Sequence, residues 1–303
     1  MHEIRRVRLA VVLAALVAVA AGTPSPALGQ TAARFKLDLL GNRVPDVRAA
    51  AAIIFDPQTG EVLWGQNQHD QRSIASLTKL MTALTFMAAA PDLTETVTVT
   101  SADVRRASVT YIQPGERVTY RDLLHLTLIA SDNGAARVLA RTSTGGTSAF
   151  IDRMNEMAVF LGLTNTHYAD PSGLDAGNVS SAYDISHLLA VVSQDQQLSP
   201  ILRMPRYDVK TNRRSFSIRS TNRLLDGHDV DVLAGKTGFI RRAGYCLATL
   251  LQVPQGSQVA VVVLGATNSA VRFAEARNLF DWVVDRTQGL IGAASAGLAD
   301  LAP

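Results

Sequence analysis

The segment Ser76-Leu77-Thr78-Lys79 is the first of three short strings that together decide how this chain folds. Ser131-Asp132-Asn133 begins 55 residues after Ser76, and Lys236-Thr237-Gly238 begins 105 residues after Ser131. Each string alone occurs by chance in many chains of this length, so the information lies in their order and spacing. Together they supply a serine nucleophile, an amine that can act as its base and polar groups for a substrate, which is the equipment of acyl transfer.

A helix is predicted to begin at or near Ser76, because apolar residues recur at helical spacing until Pro91. Lys79 then lies one turn further along on the same helical face. A serine hydroxyl is a weak nucleophile and needs an adjacent base. Lys79 is the local candidate if burial and a nearby cation lower its pKa, and the alternative is an exposed helix lysine. The apolar positions are Leu77, Leu80, Met81 and Leu84.

The rest of the chain reads as strands at both ends with helices between them. Residues from about 100 to 205 look mostly helical, and a last amphipathic helix is predicted over 269–287. These patterns predict an α+β fold, in which an antiparallel sheet is flanked by terminal helices and carries an inserted helical lobe at about 97–205. Strands are predicted at 49–55, 61–64, 231–234, 245–253 and 259–264, and the clearest lobe helices at 120–141 and 149–162.

The N-terminus, residues 1–29, has the pattern of a secretory signal peptide. Arginines at 5, 6 and 8 precede an apolar run over 9–22, and Ala27-Leu28-Gly29 is a small-x-small cleavage site. An uncleaved anchor is the alternative, but 14 apolar residues fall short of the roughly 20 that span a bilayer. The expected organisation is a leader at 30–48, a catalytic domain at 49–288 and a tail at 289–303, with no membrane anchor after cleavage and a periplasmic or other extracytoplasmic location.

Composition excludes several other classes of protein. The 303 residues are 47% hydrophobic and 18% charged, which is typical of a globular chain. The net charge of +3 falls to +1 without residues 1–29, so no nucleic-acid partner is expected. Cys246 is the single cysteine and cannot form an intramolecular disulfide; a small buried hydrophobe is the expected role. The six histidines show no His-Glu-x-x-His pattern, so neither a metal nor a cofactor is expected.

The second and third strings supply the remaining candidate site residues. Ser131 and Asn133 follow an apolar stretch and fall where a helix ends, so both side chains can face a cleft; turn and capping chemistry is the alternative. Lys236 and Thr237 place a cation and a hydroxyl on a strand edge, which suits a substrate with a free carboxylate. Gly238 removes a side chain that would obstruct a substrate backbone, and the backbone N–H groups of Ser76 and Phe239 are expected to form an oxyanion hole.

In these strings, and in four supporting stretches, the chain resembles the low-molecular-mass penicillin-binding proteins of the D-alanyl-D-alanine carboxypeptidase family. The resemblance implies a β-lactamase/transpeptidase-like fold and a serine acyl-enzyme formed at Ser76 on the penultimate D-alanine of peptidoglycan stem peptides. It also implies that penicillins and other β-lactams acylate the same serine as covalent inhibitors. The supporting stretches are 56–60, 75–82, 170–174 and 235–246.

The resemblance does not decide which peptide bond the enzyme cuts. The expected activity is that of a carboxypeptidase, with Ser131 passing the proton to the leaving amine and Asn133 positioning the acyl donor. The alternative is a DD-endopeptidase that cuts peptidoglycan cross-links with the same residues, because only 65 residues follow Gly238 and the layout resembles the soluble periplasmic penicillin-binding DD-endopeptidases. Arg241 and Arg242 depart from the family pattern and are expected to be solvated loop charges.

Two further alternatives come from other classes. A class A β-lactamase shares the three strings but uses a Glu after the helical lobe to activate water, and residues 162–178 contain no Glu. A non-catalytic sensor of penicillin or peptidoglycan is the other reading. Such sensor domains are usually attached to a membrane-spanning segment, and the sequence after the predicted signal peptide contains no such segment.

Overall fold

The computed structural model describes residues 34–254 and 256–299, with side chains up to residue 288. The predicted signal peptide therefore lies outside the described residues. The strands are β1 (Phe35–Leu37), β2 (Arg43–Pro45), β3 (Ala51–Phe55), β4 (Val62–Gln66), β5 (Arg72–Ser73), β6 (Thr96–Thr98), β7 (Arg117–Thr119), β8 (Val179–Ser180), β9 (Arg206–Lys210), β10 (Ser215–Arg219), β11 (Asp231–Ile240), β12 (Gly244–Gln252) and β13 (Gln258–Ala266). The α-helices are α1 (Thr78–Met87), α2 (Ser101–Val104), α3 (Tyr120–Leu128), α4 (Asn133–Thr142), α5 (Gly146–Phe160), α6 (Ala182–Gln194), α7 (Leu198–Leu202) and α8 (Ser269–Ala299).

The central sheet has five antiparallel strands in the order β11-β12-β13-β3-β4. The early strand β3 pairs with the late strand β13, where Ile53 lies opposite Val262. The early and late strands of the described chain therefore pair in one sheet. The helices and short strands between β4 and β11 form a long insertion that connects two strands of this sheet. This arrangement agrees with the predicted α+β fold and inserted helical lobe.

Both faces of the sheet are buried, and the alternation of side chains along β13 shows how. Val259, Val261 and Val263 pack on one face with Phe273 and Phe280 of α8. Ala260, Val262 and Leu264 point to the opposite face, where α6 and the helices of the lobe complete the larger core. Burial of each large apolar side chain is worth about 1.5–3 kcal/mol, so the sheet is stabilised from both sides.

Side-chain caps set the starts of the lobe helices. Thr119 accepts the backbone N–H of Asp122 at 3.0 Å to begin α3, and Ser181 accepts that of Asp184 at 3.0 Å to begin α6. These contacts satisfy amide groups that have no partner within the helix. The predicted segment 120–141 is two helices, α3 and α4, separated by a turn at Ser131 with a φ of 59°.

Several elements differ from the sequence-based expectations. The β9–β10 hairpin and the short β1–β2 hairpin were not predicted, and the backbone of α8 continues to Ala299 beyond the predicted end at 287. The β1–β2 hairpin lies within the predicted leader and packs on α8, where the indole N–H of Trp282 donates to the Arg43 carbonyl at 2.8 Å. Helix α8 is the terminal helix that covers the sheet in the described part of the chain.

Two properties of the described residues concern membrane insertion and metal binding. None of the helices between residues 34 and 299 is long and apolar enough to cross a membrane. No group of three or more His, Cys, Asp or Glu side chains in this part of the chain is arranged to hold a metal ion.

Candidate active site

Ser76 lies in a 3₁₀ turn, residues Ala75–Leu77, directly before α1. Two glycines allow backbone to pack closely against this turn. A Cβ atom on Gly173 would lie 2.1 Å from the Ala75 carbonyl oxygen, and one on Gly238 would lie 2.8 Å from the Ile74 carbonyl oxygen and 3.1 Å from the Ser76 nitrogen. Gly238 is thus required for the approach of β11 to the Ser76 backbone, a different reason from the predicted clearance for a substrate.

Lys79 is fully buried in the first turn of α1, and its ammonium group contacts three partners. It donates to the Ser76 hydroxyl at 3.0 Å, to the Asn133 side-chain oxygen at 2.6 Å and to the Ser172 carbonyl. The predicted serine and lysine are therefore in direct contact, three residues apart. The alternative of an exposed helix lysine is excluded.

Burial governs the charge of Lys79. The pKa of its amine is lowered from 10.5 to about 7, chiefly by desolvation; the charges of Asp170 and Asp132 oppose this shift, and the charge of Arg137 adds to it. Near neutral pH a large fraction of this amine is therefore unprotonated. An unprotonated amine 3.0 Å from a hydroxyl can accept its proton.

The Ser131-Asp132-Asn133 turn combines helix capping with contacts to Lys79 and Lys236. Asp132 caps α4 by accepting the Ala135 N–H at 2.9 Å, so the capping interpretation holds for this residue. Asn133 uses its oxygen for Lys79 and donates from its nitrogen to the Ala107 carbonyl at 2.6 Å. Because the side-chain oxygen and the side-chain nitrogen of Asn133 each form a hydrogen bond, the position of this amide relative to Lys79 is fixed.

Strand β11 places Lys236-Thr237-Gly238 next to the Ser131-Asp132-Asn133 turn. The buried Lys236 donates to the Ser131 hydroxyl at 2.7 Å and to the Thr237 carbonyl at 2.8 Å. The Thr237 hydroxyl donates to the Thr221 hydroxyl at 2.6 Å. The lysine of one string is thus bonded to the serine of another, although 105 residues separate them.

The positive charges around β11 affect one another. Burial, together with the charges of Lys79 and Arg272, holds the pKa of Lys236 well below its usual range. Arg272 of α8 donates to the carbonyls of Gly238 at 3.2 Å and Cys246 at 3.3 Å, and burial lowers its pKa to about 10. Cys246 is buried, as predicted, and desolvation raises its thiol pKa to about 11. A cation beneath β11 therefore adds to the positive potential of the cleft.

A loop over residues 170–178 completes the surroundings of Lys79. The Asp170 carboxylate accepts the Gly173 N–H at 2.8 Å, the Ser172 hydroxyl and the Asn178 side-chain nitrogen. The Thr82 hydroxyl of α1 donates to the Pro171 carbonyl at 2.7 Å and ties the loop to the helix. These bonds hold the loop in the conformation that directs the Ser172 carbonyl at the lysine.

The structure thus brings the predicted residues into two hydrogen-bonded groups, Ser76–Lys79–Asn133 and Ser131–Lys236, with Thr237 and Gly238 next to Lys236 on β11. Phe239 follows on the same strand with its ring half exposed and stacked on Tyr245 at 4.2 Å.

Sequence reasoning missed four contributors: the Ser172 carbonyl, Asp170, Thr221 and Arg272. Asp170-Pro171-Ser172-Gly173 was a visible signal to which no role was assigned. Thr221 and Arg272 lie in no distinctive motif.

The α+β fold and the serine–lysine pair at the edge of its sheet define an active-site-serine enzyme of the DD-peptidase class. The model of the D-alanyl-D-alanine carboxypeptidase family matches residues 40–268. The chain belongs to this family, as the sequence analysis predicted.

Similar proteins include both activities of the family. A Pseudomonas aeruginosa D-alanyl-D-alanine endopeptidase is 34% identical over 242 residues, which cover 78% of each chain. A Bacillus subtilis D-alanyl-D-alanine carboxypeptidase is 30% identical over 77% of this chain and 61% of its own length. Among solved structures, the Streptomyces K15 DD-transpeptidase superposes with a TM-score of 0.75 at 26% identity, covering 78% of this chain and 97% of that one.

Proposed function

We propose that the protein hydrolyses the peptide bond after a penultimate D-alanine in peptidoglycan stem peptides, through an acyl-enzyme at Ser76. Release of a terminal D-alanine is the primary candidate reaction. The observation that carries the proposal is the 3.0 Å contact between the Ser76 hydroxyl and the buried Lys79 amine, whose pKa lies at about 7. A base of this pKa suits proton transfer near neutral pH.

Acylation would begin when neutral Lys79 takes the Ser76 hydroxyl proton and the serine oxygen attacks the D-alanine carbonyl carbon. The backbone N–H groups of Ser76 and Phe239 would donate to the resulting oxyanion; donors of this kind are worth about 3–4 kcal/mol in other serine hydrolases. Asn133 both contacts Lys79 and can position the acyl donor.

Departure of the amine requires a proton on the opposite side of the tetrahedral centre. Ser131 is suited to pass it, because its oxygen already accepts a hydrogen bond from Lys236 and its own hydrogen is left for the substrate. The C–N bond then breaks and the amine leaves with the Ser131 proton, while the proton held by Lys79 returns to the Ser131 oxygen. Water then hydrolyses the ester, which restores the Ser76 hydroxyl and releases the shortened peptide as a carboxylic acid.

Lys236 and Thr237 would hold the carboxylate of the leaving residue. Arg272 beneath β11 keeps the local potential positive. A bound carboxylate would oppose the lowered pKa of Lys236, since a nearby negative charge favours the charged amine. Binding of the substrate carboxylate would thereby favour the protonated, positively charged form of Lys236, which burial disfavours.

The proposed partners and location follow from the same chemistry. Cell-wall peptides are the substrates, and β-lactams are covalent inhibitors that acylate Ser76. The signal-like pattern in residues 1–29 supports export across the inner membrane to the periplasm. Residues 162–178 contain no Glu to activate water as in class A β-lactamases, which favours a long-lived penicilloyl-enzyme.

Cross-link cleavage is the second candidate, and the similar proteins favour it. The endopeptidase of Pseudomonas aeruginosa matches over 78% of its own length, whereas the Bacillus subtilis carboxypeptidase matches over 61%. Both reactions break a peptide bond after D-alanine and would use the same active-site residues. They differ in the size of the leaving group, which is a single amino acid in one case and a second peptide in the other.

The test is mass spectrometry of products after residues 30–303 are mixed with a pentapeptide muropeptide and with a cross-linked dimer. Loss of one alanine from the monomer supports carboxypeptidase activity, and conversion of the dimer into monomers supports endopeptidase activity. Absence of both products, with retained penicillin labelling, would contradict the proposal and favour a sensor.

A further inference from the structure

Thr221 lies beside Lys236-Thr237-Gly238 in the structure but belongs to none of the three strings. Its hydroxyl accepts a hydrogen bond from the Thr237 hydroxyl at 2.6 Å. We propose that Thr221 is a specificity-determining residue, whose hydroxyl donates directly to the carboxylate of the leaving residue while Thr237 acts through it. The inference rests on the proposed function and adds a substrate-binding residue to it.

The contacts of Thr221 place it on the leaving-group side of the active site. Its backbone N–H donates to the carbonyl of Ile129 at 3.2 Å. Ile129 is the C-cap of α3 and stands two residues before Ser131, the residue suited to protonate the leaving amine. The side chain of Thr221 contacts Thr237, which follows Lys236 on β11. Thr221 therefore joins the end of a lobe helix to the strand that is proposed to hold the carboxylate.

The two threonines differ in exposure. Thr237 is buried, with 4% of its surface exposed, whereas Thr221 is partly exposed. Lys236 is buried as well, and its amine already contacts the Ser131 hydroxyl and the Thr237 carbonyl. A ligand that approaches this part of β11 therefore reaches the side chain of Thr221 more readily than that of Thr237.

The hydrogen bond between the hydroxyls decides which of them can donate to a ligand. A threonine hydroxyl carries a single hydrogen, so the pair shares one hydrogen bond and keeps one hydrogen. Because Thr237 donates to Thr221, the remaining hydrogen belongs to Thr221, and no acceptor among the described residues takes it. A hydroxyl that accepts one hydrogen bond also becomes a stronger donor of the next. Thr221 is thus equipped to donate to a carboxylate oxygen.

The charges around the pair favour an anion. Arg272 donates to the carbonyl of Gly238, the residue after Thr237, at 3.2 Å, and Lys236 precedes Thr237 on the strand. Within the described part of the chain, neither Lys236 nor Arg272 forms an ion pair with a carboxylate. A hydrogen bond to an ionised group is stronger than one to a neutral group. The site should therefore prefer a free carboxylate over a carboxamide.

The experiment compares ligands that differ only at this carboxylate. Peptides that end in D-Ala-D-Ala are prepared as the free acid and as the C-terminal amide, and kcat and KM for hydrolysis are measured for each. Labelling of Ser76 is measured with a penicillin as the free acid and as its methyl ester. A penicillin carries its carboxylate on the carbon next to the β-lactam nitrogen, as the leaving alanine carries its own next to the leaving amine, and labelling needs no peptide turnover.

Three variants separate the hydroxyl from the shape of the side chain. Thr221→Val removes the hydroxyl and keeps the branched shape, whereas Thr221→Ser keeps the hydroxyl. Ser220→Ala is the matched control, because it removes a neighbouring hydroxyl whose contact is the backbone N–H of Asn222 at 3.1 Å.

We expect Thr221→Val to lower kcat/KM for the free-acid peptide by about 10–100-fold, the range for one hydrogen bond to a charged group, mainly through a higher KM. For the amide the loss should be about threefold or less, because a hydrogen bond to a neutral acceptor contributes less. The variant should also lose most of the preference for the penicillin free acid over its ester. Thr221→Ser should retain both preferences, and Ser220→Ala should behave as the wild type.

Equal losses for the acid and the amide in Thr221→Val, or an acid preference that survives in it, would overturn the inference, since a merely structural role affects both ligands alike. Failure of the wild-type protein to cleave either peptide would instead count against the proposed function. The comparison of the penicillin with its ester would then still decide the role of Thr221. Thr221→Ala, with the same expectations, replaces Thr221→Val if a lowered Tm shows that the valine variant is misfolded.

Discussion

The pH dependence of acylation is the sharpest test of the serine–lysine pair. In the proposed mechanism the reacting form of Lys79 is the neutral amine, so the rate of Ser76 acylation should rise as pH increases through the pKa of the lysine. That pKa is lowered from 10.5 to about 7, chiefly by burial. The rise should therefore have its midpoint near pH 7 and level off above it.

The magnitude distinguishes a lowered pKa from an ordinary one. With a pKa of about 7 the neutral fraction increases from about 9% at pH 6 to about 91% at pH 8, a change of about tenfold. With an unperturbed lysine the same interval would give an increase of about a hundredfold and no plateau. The second-order rate constant for labelling by a fluorescent penicillin, measured from pH 5.5 to 9, reports this directly.

Substitutions that remove a single charge near Lys79 should move the midpoint of the pH–rate profile in a direction that can be predicted. Asp170 raises the pKa of Lys79, so Asp170→Asn should shift the midpoint to lower pH while keeping an oxygen for the loop contacts. Asp175→Asn changes an exposed carboxylate in the same loop and should leave the midpoint in place. Lys79→Arg retains a cation that cannot serve as a base, and should lower the rate about 10²–10⁴-fold.

A labelling rate that climbs a hundredfold between pH 6 and 8 without a plateau would refute the lowered pKa. A rate that falls as pH rises would refute the role of Lys79 as the base that receives the Ser76 proton.

Three further outcomes test other parts of the structure. Ser76→Ala should abolish both hydrolysis and penicillin labelling with little change in Tm, and retained labelling would show that another residue is acylated. Gly238→Ala should reduce acylation by at least about a hundredfold, because its Cβ would lie 2.8 Å from a backbone oxygen of the serine turn; near-normal labelling would contradict this close approach. Arg141→Gln should cost about 1–3 kcal/mol in urea denaturation by leaving the buried Asp103 unpaired, whereas Arg219→Gln, at an exposed pair 3.7 Å long, should cost under about 1 kcal/mol.

Local sequence signals predicted much of the fold. The apolar alternation at 259–264 and the run at 49–55 predicted the central strands β13 and β3, because residues of period two fill the two faces of a sheet. The segment 120–141 was harder to interpret. Its apolar pattern is helical throughout, and the break at Ser131 depends on a φ of 59° held by contacts from other elements.

The β9–β10 hairpin was missed although its sequence carries a signal. Both strands alternate polar and apolar residues, with Tyr207 and Val209 in β9 and Phe216 and Ile218 in β10. Such alternation is typical of a half-buried strand, but no strand was predicted from it.

The sequence by itself determined the family and predicted the candidate nucleophile and base, because these depend on residue types at fixed local spacing. Ser76 and Lys79 are three residues apart and meet on one helical turn in any fold that keeps the helix. The tertiary structure decided what that base can do. Burial of Lys79 beneath Asn133 and the Ser172 carbonyl lowers its pKa, and the bond from Lys236 to Ser131 joins residues 105 positions apart. Desolvation and long-range hydrogen bonds arise only when distant segments pack together, so no local pattern in the chain could encode them.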